Sequence, residues 1–134
     1  MRKIAVFTGT RADYGLLFWL LRDIESDASL QLQLMVSGSH LSPEFGLTFK
    51  QIISDGFQVD EKIEVLLSSD SIVGAAKSIG VAVLGYADAL ARMAPDMIIV
   101  VGDRYEALAV AQTAMIMRIP ILHLHGGELS EGAY

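Results

Sequence analysis

The chain has 134 residues, of which 52% are hydrophobic and 19% are charged, and it contains no cysteine. This length and composition predict one globular domain with a real core and exclude a disordered chain. The net charge is −6 and no basic cluster is present, so a nucleic-acid surface is not expected. The lack of cysteine excludes disulfides, thiolate nucleophiles and cysteine-ligated metals. The negative net charge does not exclude a small anionic ligand, because one arginine beside a helix N-terminus can bind a phosphate locally.

The N-terminal apolar run stops at Gly9-Thr10-Arg11, which is too early for the apolar segment of a signal peptide. No stretch approaches the roughly 20 apolar residues of a membrane span. The sequence therefore predicts a cytoplasmic protein without a membrane partner.

Strand-like and helix-like segments alternate along the chain. The predicted strands are residues 4–8, 30–36, 57–65, 97–101 and 120–125, and the predicted helices are 14–24, 43–55, 72–93 and 105–117. Asp13 is the predicted N-cap of the first helix, Ser69-Asp70-Ser71 precedes the third, and Gly56 ends the second. Hairpin signals are missing, so the pattern predicts an α/β fold, a Rossmann-like parallel sheet with helices on both faces. Right-handed crossovers give a strand order near 3-2-1-4-5.

The long third helix contains Gly74, Gly80 and Gly85. Each lowers helix propensity by about 1 kcal/mol relative to alanine. Their small size also allows close packing on the sheet.

Polar residues cluster after the predicted strands, and ligands of open parallel sheets bind beyond the carboxyl ends of the strands. All three histidines lie at or near these ends. The cluster comprises Gly9, Thr10, Arg11 and Asp13 after the first strand, Ser37, Gly38, Ser39 and His40 after the second, Gly102, Asp103, Arg104 and Glu106 after the fourth, and His125, Gly126, Gly127, Glu128 and Ser130 after the fifth.

Two interpretations fit Gly9-Thr10-Arg11. The segment is either a tight strand-to-helix turn alone, or a turn in which glycine permits close backbone approach and Arg11 clamps a diphosphate. It matches neither GxGxxG nor GxxxxGK[ST], so a nicotinamide cofactor is not favoured.

Asp103 is either an N-cap of the following helix or a partly desolvated carboxylate suited to acid/base work, and the two are compatible. His123 and His125 share one strand face and, with Asp103 and Glu128, imitate a metal site. No coherent ligand set supports that site. We expect at least one of the two histidines to form a structural hydrogen bond instead, and His123 is the stronger candidate. His40 either takes part in the site or caps the segment that follows it.

Five motifs together resemble one known family. They are Gly9-Thr10-Arg11-Ala12-Asp13-Tyr14, Gly38-Ser39-His40-Leu41, Asp55-Gly56-Phe57, Gly102-Asp103-Arg104 and His123-Leu124-His125-Gly126-Gly127-Glu128. Their order and spacing are similar to those of the hydrolysing UDP-N-acetylglucosamine 2-epimerases, most closely the sialic-acid branch. The resemblance covers essentially the whole chain.

The resemblance implies that residues 1–134 are the N-terminal Rossmann-like domain of a two-domain GT-B fold, with the active site between the domains. It implies release of UDP and N-acetylmannosamine from a nucleotide sugar and water, without a metal or a cofactor, in a homo-oligomer. The implied catalytic residues are Asp103, His125 and Glu128. The implied substrate-binding residues are Gly9, Arg11, Asp13, His40, Arg104, His123 and Ser130. Many family members carry a glutamate where this chain has His125, so the proton carrier is either His125 or Glu128.

Two other interpretations stay open. The chain is compatible with half of a GT-B glycosyltransferase, which shares the fold, and with a binding module for a nucleotide sugar that performs no chemistry. A second domain and an acidic pair followed by Arg-His are expected beyond Tyr134, so the chain is interpreted as part of a longer protein whose 134 residues alone are inactive or nearly so.

Overall fold

The computed structural model describes residues 1–37, 46–63, 71–102 and 105–124. Strands and helices alternate throughout these ranges, as predicted. They are β1 (Arg2–Thr8), α1 (Arg11–Ser26), β2 (Leu30–Ser37), α2 (Gly46–Ser54), β3 (Glu61–Ile63), α3 (Ile72–Met93), β4 (Met97–Val101), α4 (Tyr105–Ile116) and β5 (Ile121–Leu124).

The five strands form one sheet in the order β3-β2-β1-β4-β5, and every neighbouring pair is parallel. The predicted order is therefore confirmed. Because all strands run the same way, their C-terminal ends meet at one edge. We call this the carboxyl edge, defined by Thr8, Ser37, Ile63, Val101 and Leu124.

Helices cover both faces of the sheet, as predicted. On one face α3 and α4 bury Tyr86, Leu90 and Val110 against Phe7 and Met35. On the other face α1 and α2 bury their apolar side chains against the alternate strand residues: Leu17, Leu21, Ile52, Val6 and Val36. Burial on both faces is why the central strands are continuously apolar instead of alternating.

The first helix begins earlier than predicted, and its N-cap is Thr10, so the prediction of Asp13 was wrong. Thr10 has extended backbone angles, and its hydroxyl accepts the N–H of Asp13 at 3.1 Å. The Asp13 carboxylate in turn accepts the N–H of Gly9 at 3.3 Å. The spacing is that of a capping box, but the acid accepts the N–H of Gly9, one residue before the cap, and it lies inside the helix.

The third strand is shorter than predicted. Phe57 is 2% exposed and packs in the core, and regular pairing with β2 begins only at Met35↔Glu61. Asp60 explains the late start, because its carboxylate accepts the N–H of Leu34 at 2.7 Å while its own N–H donates to the Leu34 carbonyl at 2.9 Å. The side chain thus replaces one backbone partner. Residues 64 and 65 of the predicted strand lie outside the described residues.

The predicted helix boundaries hold elsewhere to within a few residues. Gly56, at φ +92°, follows the end of α2 and confirms the predicted stop. The start predicted at residue 43 lies outside the described ranges. Ser71 caps α3 by accepting the N–H of Gly74 at 3.0 Å. The C-cap of α3 is Ala94, which is in the left-handed conformation and directly precedes Pro95.

By length and composition, α3 is the one helix within the described ranges that is long and apolar enough to cross a membrane. One such helix is weak evidence of a span, because core helices pass the same test. The C-terminal half of α3 buries Ala82, Tyr86, Ala89 and Leu90 in the domain core.

Gly85 is the glycine of α3 that close packing requires. A Cβ at Gly85 lies 2.9 Å from Cγ2 of the core residue Ile63, whereas a Cβ at Gly80 meets nothing within 4 Å. We expect Gly80→Ala to raise the free energy of unfolding by about 0.5–1 kcal/mol through helix propensity. Gly85→Val should lower it by about 1–3 kcal/mol through overpacking. Urea unfolding of the two variants checks both, and equal effects would contradict the role given to Gly85.

Candidate active site at the carboxyl edge

The carboxyl edge brings the ends of β2, β1, β4 and β5 side by side in that order. Of the candidate residues, Gly9, Arg11, Asp13 and His123 lie in described segments at this edge. The remaining six lie outside the described residues: His40, Asp103, Arg104, His125, Glu128 and Ser130.

The turn after β1 is tightly built. Gly9 is buried, and a Cβ there lies 3.3 Å from the Phe7 ring and 3.7 Å from the Asp13 carboxylate. The Thr8 hydroxyl donates to the Thr10 carbonyl at 3.4 Å. Because the N–H groups of Gly9 and Asp13 already donate within the turn, an anion here depends more on the Arg11 side chain than on those two amides.

Arg11 is the first residue of α1 and is exposed. Within the described ranges, its guanidinium forms no salt bridge. A cation beside a helix N-terminus favours an anionic ligand. The neighbouring Asp13 has a structural partner in Gly9, and its part in substrate binding stays a prediction.

The ends of β4 and β5 are joined through Gly102. Its N–H donates to the Leu124 carbonyl at 2.8 Å, and its carbonyl accepts a hydrogen bond from Nε2 of His123. This is the structural hydrogen bond that the sequence predicted for His123. Gly102 has φ +79°, a conformation that favours glycine, so the chain turns sharply just before Asp103.

Sequence reasoning missed a buried hydroxyl pair at the carboxyl edge. Ser37, at the end of β2, donates to the Ile63 carbonyl at 2.8 Å, and its oxygen lies 3.0 Å from the Tyr86 hydroxyl. Because Ser37 has one proton and Ile63 accepts it, Tyr86 must be the donor to Ser37. Both side chains are fully enclosed. The residues are 49 positions apart, and no local pattern connects them.

Glu106, in the first turn of α4, is 7% exposed although it is charged. Burial raises the pKa of Tyr86 to about 12; the Ser37 hydrogen bond opposes this rise and the negative charge of Glu106 adds to it. Glu106 therefore lies close enough to Tyr86 for their charges to interact.

The raised pKa of Tyr86 predicts an alkaline loss of stability. Its folded pKa of about 12 lies above the ordinary 10.0, so its contribution is complete below pH 10 and is lost as pH rises towards 12. At 1.36 kcal/mol per unit the loss is at most about 2.7 kcal/mol. Tyr86→Phe should cost about 1 kcal/mol at pH 7 through the lost hydrogen bond but lack this alkaline fall. Urea unfolding at pH 7, 10 and 11 checks it; a difference between the proteins that does not shrink with pH would contradict it.

Within the described ranges, no group of three His, Asp or Glu side chains is placed to hold a metal ion. The metal alternative from the sequence also involves Asp103, His125 and Glu128, which lie outside those ranges.

Comparison with known proteins identifies the family. The model of the family described as UDP-N-acetylglucosamine 2-epimerase matches residues 22–134. This chain belongs to that family. The five motifs predicted this family, and the prediction is confirmed.

Curated relatives match nearly the whole chain. A Campylobacter jejuni GDP/UDP-N,N'-diacetylbacillosamine 2-epimerase (hydrolyzing) is 45% identical over 98% of this chain and 34% of the relative. A Legionella pneumophila UDP-N,N'-diacetylbacillosamine 2-epimerase (hydrolyzing) is 39% identical over 97% and 34%. A Neisseria meningitidis UDP-N-acetylglucosamine 2-epimerase is 35% identical over 97% and 34%. The chain thus spans about a third of the length of these relatives.

Solved structures support the fold. The N. meningitidis UDP-GlcNAc 2-epimerase bound to UDP-GlcNAc gives a TM-score of 0.77 at 20% identity, covering 100% of this chain and 34% of that one. A Methanocaldococcus jannaschii UDP-GlcNAc 2-epimerase in complex with UDP-GlcNAc and UDP gives 0.75 at 19% identity, covering 97% and 34%.

Proposed function

We propose that this chain is the N-terminal domain of a hydrolysing 2-epimerase with a two-domain GT-B fold. The full-length protein converts UDP-N-acetylglucosamine and water to UDP and N-acetylmannosamine, for the biosynthesis of sialic-acid-type sugars. The family match over residues 22–134 carries the proposal, and the identity of 45% and 39% to relatives named as hydrolyzing epimerases supports the reaction type.

The proposed reaction has two balanced steps. In the elimination, a base removes the C2 proton of the sugar and the C1–oxygen bond breaks. UDP leaves, and the sugar becomes a glycal. In the hydration, water adds its oxygen at C1, and C2 receives a proton on the opposite face, so that its configuration inverts. Neither step changes an oxidation state overall, so the proposal requires no nicotinamide, and it assigns no step to a metal.

The chemistry assigns roles to the residues of the carboxyl edge. Arg11 and Arg104 bind the departing diphosphate, because a planar guanidinium matches phosphate geometry. Asp103 exchanges a proton with the sugar, and His125 or Glu128 serves as the second proton carrier, since imidazole titrates near neutrality. The remaining substrate contacts are assigned to Gly9, Asp13, His40, His123 and Ser130.

The remaining parts of the proposal concern the whole protein. A small-molecule nucleotide sugar is its partner, the protein is cytoplasmic and homo-oligomeric, and the second domain supplies the other wall of the cleft. For that reason residues 1–134 alone are inactive or nearly so.

A second substrate is favoured by one observation. The two relatives named for N,N'-diacetylbacillosamine are 45% and 39% identical, above the 35% of the N. meningitidis UDP-N-acetylglucosamine 2-epimerase. A UDP sugar with acetamido groups at both C2 and C4 undergoes the same two steps, because the chemistry takes place at C1 and C2.

The test is turnover of both nucleotide sugars by the full-length protein in D₂O, followed by NMR. The proposal expects free UDP and a free 2-epimeric sugar with deuterium at C2, because the elimination discards the original hydrogen. Transfer of the sugar to an acceptor would indicate a glycosyltransferase instead. Tight binding in calorimetry without turnover of either sugar would indicate a binding module.

A further inference from the structure

Helices α3 and α4 are largely apolar on the side that faces away from the sheet. A surface helix ordinarily carries polar residues there. Helix α3 is apolar enough to cross a membrane, yet only 17% of its most apolar 18-residue stretch is buried within the domain. Four large apolar side chains of the two helices are 65–69% exposed: Val81, Leu84, Leu108 and Met115. Exposed apolar side chains that are grouped in this way mark an interaction surface.

These side chains lie on one continuous surface. Helices α3 and α4 pack against each other and cover the same face of the sheet, so the sides that point away from the sheet are adjacent. We call this surface the outer face. It is defined by Lys77, Val81, Leu84, Asp88 and Ala91 of α3 and by Leu108, Gln112 and Met115 of α4, all of which are exposed.

The residues that α3 contributes follow a seam with alternating steps of three and four. This spacing keeps them on one side of the helix, as in a coiled coil. They are Gly74, Lys77, Val81, Leu84, Asp88 and Ala91. From either end towards the centre, the seam has a small residue, a charged residue and a large apolar residue. The two charges have opposite signs, so the seam is complementary to itself when it is reversed.

We propose that the outer face joins two copies of this protein across a two-fold axis, with the two α3 helices antiparallel. A two-fold interface must be self-complementary, because the same patch is used on both copies. When the axis passes between residues 82 and 83, Val81 of each copy faces Leu84 of the other. Lys77 then faces Asp88 twice. Neither of these charged residues forms a salt bridge within the described ranges, so both are available to pair between copies.

The two charges also distinguish this arrangement from its alternatives. A parallel pairing sets Lys77 against Lys77 and Asp88 against Asp88, and facing like charges are unfavourable. A membrane disfavours the same two residues, because charged side chains are costly within a bilayer. The antiparallel pairing alone turns both charges into favourable contacts.

The outer face also lies away from the second domain of the proposed function. That domain faces the carboxyl edge, where α3 begins. Leu84 lies 12 residues further along α3, which is about 18 Å at the rise of an α-helix. Helix α3 ends beside the start of β4, at the opposite edge of the sheet. The centre of the seam is therefore accessible to a second copy.

The size of the outer face is suited to a dimer. Between Gly74 and Ala91 the seam is about 26 Å long, and two packed helices are about 20 Å across. This outline of roughly 500 Å², before the relief of the side chains is included, is of the order of the 800 Å² that each partner contributes to a standard interface. The inference specifies the contact within the homo-oligomer of the proposed function, and it does not depend on the reaction.

The first test is Leu84→Arg in the full-length protein, followed by sedimentation velocity. We expect the wild type to have the mass of two chains or a multiple of it. Leu84→Arg should halve that mass by raising the dissociation constant about 100-fold, because each substitution occurs twice at the centre of the interface. The side chain is exposed within the domain, so the far-UV circular dichroism spectrum should be unchanged.

Leu16→Arg is the matched control. Leu16 is 63% exposed and lies on α1, which covers the other face of the sheet. Its substitution should leave the mass at the wild-type value. Equal dissociation in Leu16→Arg and Leu84→Arg would show that the effect is not specific to the outer face, and the proposal would be wrong.

The second test is a charge reversal that does not alter the apolar residues. Lys77→Glu and Asp88→Lys should each raise the dissociation constant about 10-fold, because each places like charges opposite one another. The double variant should return it to within about 3-fold of the wild type, because the pair is restored with its signs exchanged. Weakening in both single variants without recovery in the double variant would overturn the antiparallel register. This test also decides if Leu84→Arg does not fold.

Three further results would overturn the proposal. They are a wild type with the mass of one chain, a Leu84→Arg variant with the wild-type mass, and a wild type that pellets with phosphatidylcholine–phosphatidylglycerol vesicles when Leu84→Arg does not. The last result would assign the outer face to a membrane. Sedimentation needs no substrate, so failure of the proposed reaction is detected separately. A protein that assembles through this face but turns over neither nucleotide sugar would retain the interface and lose the proposed function.

Discussion

Asp103→Asn is expected to lower kcat of the full-length protein by about 10³-fold. Asparagine keeps the size of the side chain and its ability to cap a helix, but it cannot exchange a proton. Loss of a positioned acid or base typically removes about 10²–10⁴ of the rate. The affinity for UDP should change little, because the proposed diphosphate contacts are arginines. Steady-state release of UDP gives kcat, and calorimetry with UDP gives the affinity.

The matched control is Asp96→Asn at the opposite end of the same strand. Asp96 directly precedes β4, and its carboxylate accepts the N–H of Lys3 at 2.8 Å. An amide oxygen can accept the same bond, so kcat should be unchanged. Full turnover in Asp103→Asn would remove Asp103 from the proposed chemistry, and a matching loss in Asp96→Asn would show that the effect is not local to the carboxyl edge.

The pattern of apolar residues was sufficient to predict the sheet, because both faces of β1 and β4 are buried. Ile4 and Val6 face α1 and α2, while Ala5 and Phe7 face α3 and α4, so the strands had to be short continuous apolar runs. Turn residues were sufficient where the backbone needs a left-handed conformation, as at Gly56. Predicted boundaries failed where side chains replace backbone partners. The Thr10–Asp13 pair moves the helix start, and Asp60 shortens β3.

The candidate site could be located but not assembled from the sequence. Strand ends of a parallel sheet must meet, so the clustering of Gly9, Arg11 and His123 at one edge followed from topology. The pairing of Ser37 with Tyr86 did not, because it depends on how α3 crosses the sheet. The burial of Glu106 was equally invisible, since a glutamate in the first turn of a helix is ordinarily a solvated residue that favours the dipole.

Arg11→Ala is expected to raise the Kd for UDP by about 10–100-fold. The guanidinium is exposed at the first residue of α1. The turn amides of Gly9 and Asp13 are engaged within the protein, so they cannot take over a lost diphosphate contact. A hydrogen bond to a charged group contributes about 1.5–3 kcal/mol, and each 1.4 kcal/mol is tenfold in affinity. Calorimetry with UDP on the full-length protein measures the change.

Arg11→Lys separates geometry from charge. Lysine retains the positive charge but not the planar fork that binds two phosphate oxygens at once, so its Kd should fall between those of the wild type and Arg11→Ala. Arg2→Ala is the control, because Arg2 is an exposed arginine at the start of β1, at the opposite edge of the sheet. Equal UDP affinity in the wild type and Arg11→Ala would mean that Gly9-Thr10-Arg11 is a tight turn alone. The diphosphate would then have to be held by the loops after the other strands or by the second domain.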